Sequence, residues 1–507
     1  MSKLSSLITL VHSLSKSERK KVTLSISTNG KNSDYAILFR AIESGKSLTQ
    51  SELKLSFQSK RPGSNFNTAM NYLYEVLLSI LSELRENQDS FYQLFNQLMH
   101  AKVLFEKSLY ADCFELLLKI QKEAVIYENF TVLLIAQKLE HDYLLGLDFP
   151  NISESELLGM QYRMNDSLKK IRKINEHAFL YGLLKHRLLH KGVIVSGKQK
   201  QALNDLVVSE MSIVSSSGFN NFEIEKTHKL FQSNYLIAVG DYKSALHSFY
   251  ELSTIFEQNK HLLSNPPIYY LDTIEGVLES LRIIRNYDAM PHFVDLLKKI
   301  LSSSANFNLH VKSVIFLYTI VPFIDRGDFV AGKKIIDEYN DDLIDKINML
   351  VAARKVQISL YISIIYLGLQ QFSLARKAIS STLNAEREIY SMPVFRAVRL
   401  INLILLYEIA DFDLIEFEVR SVKRQIKAAE QNLQLEKMLL KFVSKPINNL
   451  SVKERALLWN KTNLQLSTFT DDKHELQLIQ IFDFAAWIES KIKNISLSLI
   501  LKEKISF

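Results

Sequence analysis

Glycine and proline are scarce: the 507-residue chain has 14 of the first and 8 of the second. Turn-rich β folds and flexible linkers depend on both residues. Their shortage excludes those classes and favours helices joined by short loops. Cysteine is nearly missing. The single one, Cys113, excludes an intramolecular disulfide and any multi-cysteine metal centre. It lies three positions after Tyr110 and four before Leu117, a helical spacing that reads as a buried thiol and not as a nucleophile. Long apolar runs are absent too. The best, Val314 to Ile324, is about half a bilayer span and contains Pro322. Serines interrupt the apolar start Met1–His12, and no small-x-small cleavage site follows it. The expectation is an all-α, cytoplasmic protein with no membrane partner.

What is present includes a modest positive charge, +7, unevenly spread. Residues 1–86 hold 12 Lys/Arg against 7 Asp/Glu, so most of the excess sits there. Helices are predicted in this part over 3–13, 16–26, 34–44, 49–57 and 65–85. Ser15 with Glu18 and Thr49 with Glu52 read as capping boxes, and Asp34 as the cap of the third helix.

The most informative stretch is Asn234–Phe249. Gly240 can take the left-handed conformation that ends one helix, and Asp241 can cap the next. Tyr242, Ala245 and Phe249 then share one face of the second helix; the small residue lets the two helices approach closely, and the rings fill the space on either side. Weaker copies follow: Tyr287 with Met290 and Val294, Phe329 with Gly332 and Ile336, Phe372 with Ala375 and Ile379, and Phe412 with Ile415 and Val419. The ring positions are 45, 42, 43 and 40 residues apart, a spacing that marks a stacked helical array.

This turn box resembles the tetratricopeptide repeat. The resemblance implies a right-handed superhelical α-solenoid of antiparallel helix pairs with a concave face for a protein or peptide partner. A period of about 42 residues leaves helices of about 17 residues, or about 26 Å. That exceeds what the usual unit of about 34 residues provides, and HEAT-like pairs share the longer period. The chain also resembles bacterial helical-repeat proteins of no assigned activity. These open with a short basic domain and close on a Phe-Asp-Phe…Trp-x-Glu-Ser-Lys helix, here Phe482 to Lys491.

Three parts are expected: a basic helical domain over 1–86, the repeat array over 87–445, and a C-terminal helical cap over 446–507. The pattern from Ser153 to His190 is helical and fits one bent helix or two. In the tail, one helix is predicted over 452–467. A second follows Asp471-Asp472, with Leu476, Ile479, Phe482, Phe484, Ala486 and Trp487 around a broad apolar face that buries the last pair.

Few motifs carry chemistry. Gly192–Lys198 has the spacing of a phosphate-binding loop, but Gln199 stands where a Ser/Thr would hold magnesium, and helix precedes it where strand is needed. His186 and His190 lie one turn apart, which supplies two ligands and leaves a metal site unclosed. No nucleophile–base arrangement is legible, so no enzyme, metal or cofactor is expected. Asp34–Glu43, a Gly45 turn and Thr49–Phe57 could form a helix-turn-helix, with Lys54, Lys60 and Arg61 available for phosphates. That makes a transcriptional regulator with a sensory repeat domain the alternative, although the usual residue pattern is missing and the local field is weak for nucleic acid.

Aligned on the boxes, the first helix of each pair presents Thr227, Leu230, Asn234 and Ile237, then Asp272, Glu275, Glu279 and Arg282. Later pairs present Leu317, Val321 and Ile324, then Leu360, Ile364 and Leu367, then Leu400, Ile404 and Tyr407. The polar early section, Asn234, Asp272, Glu275, Glu279 and Arg282, is the expected partner-binding site of a non-catalytic scaffold. The late helices are apolar nearly all round, which fits either tight winding or a self-association surface.

Overall fold

The structure, a computed structural model, describes residues 3–28, 33–44, 50–86, 89–191, 197–215, 221–264, 266–300, 302, 304–383, 393–428, 433–445, 451–467 and 475–505. Among these residues none is in a strand, and helices pack neighbour to neighbour along the chain.

The first five helices, α1 (Lys3–Ser13), α2 (Lys16–Thr28), α3 (Asp34–Ser44), α4 (Gln50–Lys60) and α5 (Phe66–Glu86), bury a core of their own around Leu7, Phe39, Phe57 and Leu73. Local sequence explains the start of α2. Ser15 N–H donates to Glu18 Oε2 at 2.8 Å, and Glu18 N–H returns to Ser15 Oγ at 3.2 Å, the reciprocal capping box. Thr49 and the turn at Gly45 lie outside the described residues.

Next come α6 (Ser90–Glu106), α7 (Tyr110–Ile126) and α8 (Phe130–Gly146), then α9 (Glu154–Lys191), which is one helix of 38 residues, about 57 Å long. Cys113 on α7 is fully buried and donates to Ala101 O, and burial pushes its thiol pKa up. Helix, not strand, leads into residues 192–196 of the phosphate-loop-like segment, which lie outside the described residues, as does the His190 side chain. The chain continues through α10 (Gly197–Ser215), α11 (Phe222–Ala238), α12 (Tyr242–Gln258), α13 (Ile268–Ile283), α14 (Met290–Lys299), α15 (Ala305–Asp325), α16 (Phe329–Glu338), α17 (Ala352–Gly368), α18 (Phe372–Leu383), α19 (Pro393–Glu408), α20 (Phe412–Ala428) and α21 (Gln434–Val443).

One turn recurs through this series. A residue with left-handed backbone stands two positions before each box ring: Gly240, Arg285, Gly327, Gln370 and Ala410, with φ between 57° and 74°. The following N–H reaches back to close the helix, as in Asp241 N to Leu236 O at 2.9 Å and Gln371 N to Tyr366 O at 2.8 Å. Asp241, Asp328 and Asp411 then cap the next helix by accepting from the N–H three residues on. Ser108 and Glu128 repeat the same geometry ahead of α7 and α8, where the sequence pattern is blurred.

The box rings lock successive helices. A methyl group placed on Gly276 of α13 would fall 2.2 Å from the Phe249 ring of α12, and one on Gly368 of α17 would fall 2.2 Å from the Phe329 ring of α16. Only hydrogen fits there. Ala245 and Ala375 are fully buried at the matching small positions.

Two sequence expectations change. The helix α15 has 21 residues and, by length and composition, is long and apolar enough to cross a bilayer, although the uninterrupted apolar run is half that; 67% of its apolar window is buried inside the protein. In the tail, α22 (Val452–Ser467) falls where predicted, but the second helix is broken. It becomes α23 (Leu476–Ile481), α24 (Phe484–Lys493) and α25 (Leu497–Ile505). Phe482 is extended (φ −158°, ψ 139°), and Asp483 caps α24 by accepting from Ala486 N at 2.8 Å. A capping carboxylate next to an aromatic that must turn inward overrides the helical periodicity.

Gly276→Ala is expected to destabilise the chain by about 1–3 kcal/mol through overpacking against Phe249, while Gly276→Ala with Phe249→Leu recovers part of the loss; urea melts of the two variants check this.

Candidate partner-binding site

The polar face of α13 is set by its spacing: Asp272, Glu275, Glu279 and Arg282 follow at intervals of three or four and line one stripe. Each meets a side chain from a distant part of the chain. Lys185 of α9 forms an ion pair with Asp272, and its ammonium stands 5.8 Å from the Tyr181 ring centre. Burial pushes the Tyr181 hydroxyl up to about 12. Arg354 of α17 bonds Glu275 at 2.7 Å, and burial together with the Arg354 charge lowers the pKa of nearby His310. The hydroxyl of Tyr318, on α15, donates to Glu279 at 3.0 Å.

Arg282 closes the stripe. It donates to both carboxylate oxygens of Asp325 at 3.2 and 3.3 Å and to the Tyr361 hydroxyl at 2.9 Å. Tyr287 adds a bond to Asp325 at 3.1 Å. Burial opposes the guanidinium charge, and the carboxylates of Asp325 and Glu279 outweigh it, so its pKa rises. The fourth contact is to main chain: Arg282 Nη2 donates to the carbonyl of Ile481 at 3.4 Å. Beside it, Tyr242 of α12 donates to Gln480 Oε1 at 3.0 Å.

Four of the five expected partner-site residues therefore stand on one interior seam, and their charges are met within the chain. Asn234 is not part of it; its amide donates to Leu230 O of its own helix at 2.8 Å. The expectation of an open polar groove is modified, because α15, α17 and the tail fill it. Of the residues assigned to phosphates, Lys54 and Lys60 are exposed on α4, whereas Arg61 is half-buried with its Nε 3.5 Å from Asp34.

The tail does more than cover the last pair. Trp487 packs edge-on against Tyr407 and donates to Glu408 at 2.8 Å. Yet Ser498 Oγ bonds Gly327 O at 2.5 Å, and Arg285 bonds Lys504 O at 3.0 Å. The segment thus reaches from α19 back to α12.

Two further features had no sequence signal. Glu210 Oε1 of α10 takes His177 Nδ1 of α9 at 3.0 Å and His228 Nδ1 of α11 at 2.9 Å. Burial raises the Glu210 pKa, but the two histidines outweigh it and hold the carboxyl below its usual range. A cleft of about 590 Å³ also opens at the N-terminal ends of α6, α8, α11 and α13. There Glu128 accepts from Phe222 N at 3.4 Å, and Lys226 lies 4.7 Å from the Tyr269 ring centre. Among the described residues no group of three His, Cys, Asp or Glu is arranged to hold a metal ion.

With this geometry in hand, comparison with protein-family models gives no match, and comparison with curated proteins and with solved structures gives none either.

Arg282→Met strands the half-buried Asp325 carboxylate and is expected to destabilise by about 3–5 kcal/mol. The double variant Arg282→Met/Asp325→Leu is expected to recover most of that, as measured by urea denaturation.

Proposed function

We propose that the chain is a non-catalytic scaffold that holds a protein or peptide segment on the interior face of a right-handed, tetratricopeptide-like solenoid with a period of about 42 residues. One observation carries the reading: a buried arginine at the end of a polar helix face donates to the last main-chain carbonyl of α23, 199 residues away. A side chain that binds a peptide carbonyl recognises main chain without regard to its sequence, and its neighbours add selectivity. The recurring left-handed turn and the ring-on-glycine contacts support a rigid array that presents such a face. No cofactor or metal enters this reading.

The alternative, a regulator whose residues 1–86 bind nucleic acid, draws on exposed Lys54 and Lys60 and on the separate core of α1 to α5. The engagement of Arg61 with Asp34 takes one cation away from it.

Affinity purification with the full chain and with Glu279→Gln checks the scaffold reading. A partner lost in the variant, with an unchanged melting curve, is expected; equal recovery removes the groove. For the alternative, Lys54→Glu/Lys60→Glu is expected to abolish salt-sensitive retention on heparin and DNA, and unchanged retention counts against α4 as the contact.

A further inference from the structure

Between the helices α23 and α24 the backbone leaves the helix at Phe482 and Asp483, and this break, together with the last turn of α23, lies against the polar stripe of α13. Phe482 is extended and 2% exposed. The residue before it offers its carbonyl to Arg282, and the one before that offers its side-chain oxygen to Tyr242. The residue after it, Asp483, pairs with Lys504 at 2.8 Å. The Phe482 and Phe484 rings meet at 90° with centroids 5.2 Å apart. Arg282 and Tyr242 come from α13 and α12, whereas Lys504 belongs to α25 of the tail itself.

Both flanks of this stretch are anchored: on its N-terminal side Glu475 accepts from Gln434 N and Leu435 N, and Leu478 is buried. On the C-terminal side, Trp487, Ile488 and Ile492 are at most 1% exposed and anchor α24 to the array. Between the flanks, the Arg282 bond to the carbonyl is long, 3.4 Å, and a cavity of about 210 Å³ lies beside it, bordered by Arg282, Tyr287, Asp325, Gln480 and Phe482. A short stretch can part from the groove at such a place while both flanks stay docked.

We propose that residues 480–483 are a resident ligand of the groove, and that the external partner is the end of a helix whose next residues, an aromatic followed by a carboxylate, replace Phe482 and Asp483. This rests on the peptide-binding reading above. The aromatic enters the pocket of Phe482, Arg282 takes the carbonyl before it, and Tyr242 takes a side-chain acceptor one residue earlier. The carboxylate meets Lys504. The resident stretch competes at the high effective concentration of a tethered segment, which keeps the groove closed to weak partners.

The test uses the full chain and a fluorescein-labelled peptide with the sequence of residues 478–486. Weakening the resident stretch by Phe482→Ala is expected to raise peptide affinity at least tenfold over the unaltered chain, read by fluorescence anisotropy. The same peptide carrying Phe482→Ala is expected not to bind. Gln480→Ala, which leaves the core untouched, is expected to give a smaller gain in the same direction and carries the comparison should Phe482→Ala not fold. Equal affinity for the unaltered and weakened chains overturns the proposal. So does refusal of the peptide by both variants while circular dichroism shows them folded. A captured partner that depends on Glu279 while the peptide is refused sinks only the resident-ligand inference; a partner indifferent to Glu279 sinks the groove reading itself.

Discussion

The seating of an aromatic ring on a bare glycine backbone fixes much of this architecture. Phe249 lies against Gly276, and Phe329 against Gly368, at a distance no Cβ could share. Each contact sets how closely two helices approach, and therefore how the following helix is placed. A ring offers a large apolar area at little conformational cost, and a glycine lets it reach the main chain. Gly332 beneath Ile365 repeats the idea with an aliphatic side chain. Packing of this kind is intolerant of added volume, so the array behaves as a chain of rigid joints.

The second constraint is electrostatic. Charged groups on α13 would be expensive inside the protein without partners, and every one of the four meets an opposite charge or a hydroxyl. Such a network adds less to net stability than to uniqueness of arrangement. Lys185, Arg354 and Asp325 come from three different helices, so the stripe on α13 sets the register of α9, α15 and α17 at once. The apolar residues of α15 and α17 are buried around this polar seam: Leu317, Val321 and Leu360 are at most 1% exposed. Burial on both sides accounts for helices that are apolar nearly all round.

The tail belongs to both systems. Trp487 is wedged among Tyr407 and Phe442, while Ile481 and Gln480 complete the polar seam. A segment expected only to cover the last pair thereby joins the end of the chain to its middle.

Local interactions were legible in the sequence. Helical class followed from the shortage of glycine and proline. The capping box at Ser15 and Glu18, the caps at Asp241 and Asp328, and the buried small residue at Ala245 all depend on groups within four positions of one another. Even the turns were only partly readable. Gly240 and Gly327 signal left-handed backbone, but Arg285, Gln370 and Ala410 adopt it without a glycine, because the closing hydrogen bonds hold them there. Tertiary structure alone decided what the polar stripe of α13 does. Its partners lie 39 to 199 residues away, and no pattern within one helix states which distant charge will face it. The same holds for the break at Phe482: periodicity favours a continuous helix, and the ring is buried among core residues from distant parts of the chain.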